Sequence, residues 1–366
     1  MKGKQWGTLI GIIILVFVVG IGYLFSRNSD LTSGGKGNIT VVGNLGGEKI
    51  GLFSDEEIIK ILKDRYHITV DWRKAGSIEM VKDYKQGPDF LFPSNQVALE
   101  LFKNNHAEEI KGSEIIFNSP IVFYTWNRIA DALIDQGIAR QNNGVNTVDT
   151  ESLLALVNEG KSWDDIGANK NDPNSKLYGK VTIISTDPSK SNSGNMFAGL
   201  YANLISGGVV NDSNIAAALP QIKAFFQNLG YLEPSSGDLF EQYLKTGMGA
   251  KPIIVGYENQ MIEFAEDNPA VWEQVKDRMR VLYPVPTVWS SHPLIALSDN
   301  GKKLIEALKD KEIQELAWKK HGFRSGIVDI QNDVSALGIG NIPETIDSVI
   351  AMPTPAIMDQ IIQAVQ

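Results

Sequence analysis

"STDPSKSNSGNMF", residues 185–197, packs seven hydroxyl or amide side chains and a glycine into thirteen positions. An apolar, β-branched run, "VTIIS" (181–185), precedes it, and a helical run, "MFAGLYANLI" (196–205), follows. A loop joining a strand to a helix meets the helix's unpaired N–H groups and its partial positive charge. Ser and Thr hydroxyls add neutral donors there, and glycine allows close approach, so such a loop can hold an oxyanion without a formal cation. A single cap needs one such residue; residues 186–195 hold more than that, which points to a ligand cradle.

The same design occurs twice upstream. Gly76-Ser77 precede "IEMVKDY", and Ser94-Asn95 precede "QVALELF". Taken alone, Ser77 and Ser94 read as ordinary N-caps. Around these loops the pattern alternates. Strands are expected at 38–43, 67–73, 88–93 and 119–126, and helices at 54–66, 76–85 and 94–103. Ser54 and Glu57 form a capping-box pair at the start of the first helix. Helices are expected again at 151–160, 214–230 and 237–247, with Pro220 marking a kink or break. The run 251–257 reads as a strand, 280–297 as short extended pieces, and 300–310 and 312–323 as helices.

Strand–helix alternation of this kind predicts an α/β fold with parallel sheets covered by helices. Two such units joined by extended connections near 119–128 and 280–295 place a cleft at their interface. The expected lobes are 38–125 with 285–366, and 126–284. Ligands in open α/β sheets sit beyond the carboxyl ends of strands, where the polar loops lie.

The amino terminus carries a separate signal. Residues 9–25 are almost wholly apolar, flanked by Lys2 and Lys4 before and Arg27 after. The uncharged stretch is long enough to span a bilayer as a helix, and the charge bias keeps the N-terminus inside. The expectation is a membrane anchor over 1–25, a glycine-rich tether over 26–37 and an extracytoplasmic folded unit. A cleaved signal peptide is the alternative, but its apolar region would be long and no Ala-x-Ala-like site follows.

A net charge of −9 with no basic cluster argues against nucleic acid. Absent cysteine removes disulfides, thiolate metal sites and thiol nucleophiles. The four histidines show no metal-ligand spacing, and no nucleophile elbow or Walker loop is present, so no metal, cofactor or catalytic group is expected. Tyr257, in "GYENQ" (256–260), either caps a ligand or packs between lobes; Glu258 either accepts from a ligand or faces water.

"STDPSKSNSGNMFAGLYANLI", "PDFLFPSNQVALELFK", "SPIVFYTWNRIADAL", "YPVPTVWSSHPLIAL" and "KKHGFRSG" together resemble bacterial extracellular solute-binding proteins. The similarity is to the type 2 periplasmic-binding fold, in the branch that includes molybdate-, sulfate- and phosphate-binding proteins. It implies a two-lobed α/β architecture with two interlobe crossings, closing around a small polar or anionic solute, with a membrane permease as partner. It also implies that Ser77, Ser94 and Asn95 donate from one lobe. Thr186, Ser191, Asn192, Ser193 and Gly194 would serve from the other, and Tyr257 would close the site. Two features depart from the family: the retained apolar N-terminus, and a loop longer and more polar than a minimal oxyanion site. An interaction module on the same fold is the rival reading, and an anchored serine hydrolase a third.

Overall fold

A computed structural model describes residues 38–170 and 176–366; the expected anchor and tether lie outside the described residues. Among the described residues there are ten strands: β1 (Ile39–Leu45), β2 (Ile68–Lys74), β3 (Phe90–Phe92), β4 (Gly112–Trp126), β5 (Ala139–Asn142), β6 (Val145–Asp149), β7 (Ile253–Tyr257), β8 (Met279–Val285), β9 (Trp289–Ala296) and β10 (Arg324–Ser325). They form two sheets that share β4.

In lobe 1 the order is β2-β1-β3-β9-β4-β10. The pairs β1–β2 and β1–β3 are parallel, whereas β3–β9 and β9–β4 are antiparallel. In lobe 2, β4 is flanked by β7 and β8, both antiparallel to it, and β6 runs parallel to β8. Both sheets are therefore mixed, not parallel as expected. The cause is the connection between lobes. A strand leaving lobe 1 and a strand returning to it run in opposite directions, and side by side they can pair only antiparallel.

The pairing also locates the crossings. β4 pairs with β9 as far as Pro120 and with β7 from Ile121 on. The return runs through residues 286–288, between β8 and β9. In lobe 1, Phe90, Phe92, Phe117 and Leu294 pack on one sheet face with residues of helices Glu56–Tyr66, Asp299–Leu308 and Lys311–His321. Leu91 and Ile295 pack on the other face with Ala98, Leu99 and Phe102 of helix Gln96–His106. In lobe 2, Phe123, Val255 and Leu282 join Met196, Phe197 and Leu200 of helix Asn192–Ile205.

Several local expectations are corrected. Ser54 ends a short helix, and Asp55 caps the next one, its carboxylate accepting from Glu57 N (2.8 Å) and Ile58 N (3.1 Å). The helix expected over 76–85 shrinks to Glu79–Lys82. Pro220 lies inside an unbroken helix, Ile215–Asn228, where burial of Ile222, Phe225 and Phe226 outweighs one lost hydrogen bond. The run 181–185 makes a single parallel bridge, Ile184 to Ile254, instead of a full strand.

The carboxyl-terminal tail does not belong wholly to lobe 1. Thr287 N donates to Ser348 O (3.0 Å) and Ile350 N to Thr287 O (2.9 Å), so the tail runs beside the return crossing. It ends in helix Pro355–Val365, whose Ile357, Met358 and Ile361 are buried in the lobe 2 core. The tail is thus a third passage between lobes, and Lys82 of lobe 1 pairs with Asp359 on that helix at 2.9 Å.

Candidate functional site

The loops at the facing ends of the two sheets enclose a cleft of about 740 Å³. Lobe 1 lines it with the turns after β1 (Gly46, Gly47, Glu48) and β2 (Lys74 to Glu79). Lobe 2 lines it with residues 188–192 and Asn195, residues 234–238, and Tyr257, Asn259, Gln260 and Glu263 after β7. The loops sit where the carboxyl ends of β1, β2 and β7 give way to helices, as in open α/β sheets generally.

Of the nine residues named from the sequence, Ser77, Ser191, Asn192 and Tyr257 line this cleft. The other five lie behind it. Ser94 is fully buried, and Asn95 caps helix Gln96–His106 by accepting from Ala98 N at 2.7 Å. Thr186 and Ser193 bond to each other (2.8 Å), and Ser191 to Ser193 (3.1 Å). Gly194 is needed for packing: a Cβ there would overlap the Thr186 carbonyl.

Asn192 joins the lobes. Its Nδ2 donates to Ser94 O (2.9 Å) and to the Tyr257 hydroxyl (2.8 Å), and its Oδ1 accepts from Asn95 Nδ2. Burial, and next the nearby Glu48, hold the Tyr257 phenol well above its usual pKa, so it stays protonated. Ser77 Oγ accepts from Ser94 N (2.8 Å), fixing the turn that carries Ser94. Most of the expected donors thus bind one another at the base of the cleft.

Residues that the sequence reading passed over supply much of the lining. Glu48 follows the Gly46-Gly47 turn, and its carboxylate accepts from Lys49 Nζ (2.5 Å) and from Ser94 Oγ. "PSSGD" (234–238) opens helix Ser236–Thr246 with Ser235 as N-cap, a hydroxyl- and glycine-rich helix start that follows helix Ile215–Asn228 and not a strand. Asn259 is buried against the cleft with its Nδ2 unpaired. Glu258, which has two readings from sequence, turns away: it forms a two-pronged pair with Arg324 (2.6 and 2.8 Å) and accepts from the Tyr283 hydroxyl (2.8 Å). A further interlobe contact runs from Glu263 to His321 Nδ1 at 2.9 Å, with Asp55 Oδ2 3.5 Å from Nε2. Among the described residues, no group of three or more side chains is placed to hold a metal ion.

No family model matches the chain, and no curated protein matches it in sequence. Solved structures do match in shape. One is a protein assigned as an extracellular solute-binding protein from Bordetella parapertussis, with TM-score 0.58 and 10% identity over 89% of this chain and 96% of that one. Apo ferric ion-binding protein A from Pasteurella haemolytica follows at TM-score 0.53 and 13% identity, covering 89% and 95%. The substrate-binding protein of an ABC transporter from Agrobacterium tumefaciens gives TM-score 0.53 and 12% identity, covering 91% and 96%. The chain has the type 2 periplasmic-binding fold. At such identities the likeness is one of architecture, and the site must be argued from its own residues.

In a periplasmic-binding fold the cleft between lobes is the concave, two-sided surface suited to a small molecule. Here it offers carboxylates from Glu48, Glu79, Asp238 and Glu263, cations from Lys74 and Lys190, and hydroxyls from Ser77, Ser191 and Ser235. The arrangement supplies polar contacts from both lobes to one bound body.

Proposed function

We propose that the chain is a membrane-anchored, extracytoplasmic solute-binding protein. It closes its two lobes around a small polar solute and presents the closed form to a membrane permease. The observation that carries this reading is the cleft of about 740 Å³ lined from both lobes by helix-start loops. Closure turns about β4, residues 286–288 and the tail, since these segments join the lobes. A solute that contacts both sides favours the closed form by its differential affinity for it. The apolar sequence of residues 9–25 supports the anchor. No helix among the described residues is long and apolar enough to cross a membrane. Binding without catalysis is the role this arrangement supports.

A thermal-shift panel on ligand-stripped residues 39–366 tests the reading, with amines, amino acids, sugars, carboxylates and oxyanions. A ligand at a hundred times its Kd adds about 2.7 kcal/mol. In a unit of this size that raises Tm by about 4 °C. No shift across the panel refutes it. Substituting Asn192 with Ala is expected to weaken any such ligand at least tenfold, because the residue lines the cleft and joins the lobes.

A further inference from the structure

Beneath the cleft, lobe 1 contains a fully formed seat for an anion, and the chain's own carboxylate sits in it. Lys49 is completely buried, and three acceptors surround its Nζ: Glu48 Oε1 at 2.5 Å, Ser94 Oγ at 2.8 Å and His292 Nδ1 at 3.0 Å. The Phe92 ring lies 4.8 Å from the same nitrogen. Ser94 Oγ donates to the same Glu48 oxygen that Lys49 holds. Burial, and after it the Lys49 charge, keep His292 well below its usual pKa, so it is neutral and free to accept. Gly46 makes room: a Cβ there would lie 2.5 Å from Glu48 Oε1 and overlap the Ser94 hydroxyl.

Every proton of the Lys49 ammonium is used, and its charge is matched by one carboxylate. A free oxyanion could enter only by expelling Glu48, exchanging one anion for another at no gain in charge pairing. Glu48 nevertheless reaches the cleft wall, being 11% exposed in its side chain. Around it the wall holds Glu79, Asp238 and Glu263 against Lys74 and Lys190, and Lys190 is drawn to Asp187 at 3.2 Å.

We infer that Glu48 is a built-in anion that fills the lobe 1 oxyanion seat and thereby sets the cleft's selectivity for neutral or cationic polar solutes. This rests on the cleft being the solute site, and it narrows the chemical class that site takes. Glu48 acts as a specificity residue: one carboxylate oxygen closes the seat, and the carboxylate edge facing the cleft is left to accept from a solute donor.

The test is chemical replacement of the missing carboxylate in the full chain, held in detergent. Glu48→Ala opens the seat and leaves Lys49 unmatched, so formate is expected to raise its Tm progressively, with chloride at equal ionic strength ineffective. The parent protein and Glu48→Gln, whose seats remain filled, should not respond to formate. Any shift in the parent should need at least a hundredfold more formate than the same shift in the Ala variant. If Glu48→Ala is recovered unfolded, refolding with and without formate gives the same reading: recovery only with formate supports the seat. Absence of formate rescue, or a parent that binds formate, sulfate or phosphate as tightly as the Ala variant, overturns it. The solute panel keeps the two failures apart. A parent that binds an oxyanion refutes the role of Glu48 while leaving the solute-binding reading intact. A parent that answers to no solute, beside a formate-rescued variant, does the reverse.

Discussion

Replacing Glu258 with Ala removes the lobe 2 half of a buried ion pair that ties the lobes together. The two side chains are 0% and 6% exposed. Arg324 donates to both Glu258 oxygens, and two further N–H groups donate to Pro343 O (2.6 Å) and Glu344 O (2.9 Å). The Trp318 ring lies 5.2 Å from the guanidinium. Those carbonyls belong to the tail, so one arginine links β10, the tail and the first turn after β7. Without Glu258 the guanidinium keeps its charge in a dry site, and the Tyr283 hydroxyl loses its acceptor. Breaking one side of such a pair costs about 3–5 kcal/mol. Unfolding entropy of about 2.1 cal/mol/K per residue makes each kcal/mol worth about 1.5 °C in a unit this large. The expected fall in Tm is therefore about 4–7 °C by calorimetry. Arg324→Ala should fall comparably, and the double variant should fall by much less than the sum, since the second change removes the stranded charge. A drop below about 2 °C for Glu258→Ala, or simple additivity in the double variant, refutes the reasoning.

Two further outcomes follow from the same geometry. His321 is 5% exposed; burial lowers its pKa, but the contacts with the Asp55 and Glu263 carboxylates prevail and raise it to about 9. Its surroundings are Glu263, Asp267, Asp55, Glu57 and Lys320, and a histidine whose folded pKa is raised stabilises the fold below its unfolded pKa. That stability is lost as pH rises from about 6.5 through 9, and His321→Asn should flatten the Tm–pH profile there. Gly194→Ala drives a Cβ into the Thr186 carbonyl and to 2.8 Å from Thr186 Oγ1. Overpacking of this kind costs about 1–3 kcal/mol, and an unchanged Tm would show that the loop yields freely.

The fold was legible where side-chain periodicity and end signals act locally. Val41 and Leu45 turn inward along β1, and Gly322, at φ 67°, ends helix Lys311–His321 after the run Lys319, Lys320, His321. What could not be read from the sequence depends on distant partners. β4 extends back to Gly112 only because β9 pairs along it, and the polar "GSE" that opens it carries no strand signal of its own. The hairpin β5–β6, "ARQN" and "VNTVD", is too polar to stand out. Pro220 signals a break locally, and burial several residues later overrides it. The tail's placement across the return crossing rests on two backbone bonds to Thr287, which no composition records.

The site divides in the same way. Hydroxyl-rich helix starts located both walls, because the need for donors at such starts is a local property written in Ser, Asn and Gly. Local chemistry does not say whether those donors face a solute or one another. Ser94 could serve a free anion only if nothing nearer supplied one, and Glu48 stands 46 positions earlier in the chain. The link between them is made by β1 and β3 lying side by side, with Leu45 opposite Phe92, which brings the loops that leave both strands together. Once that pairing exists, the Gly46-Gly47 turn lets the carboxylate swing onto Ser94, and Lys49 two residues on is buried with it. A cradle composed for an anion can thus be satisfied from within. The charge class of the solute then follows from what the filled cradle leaves exposed, not from the residues that first drew attention to it.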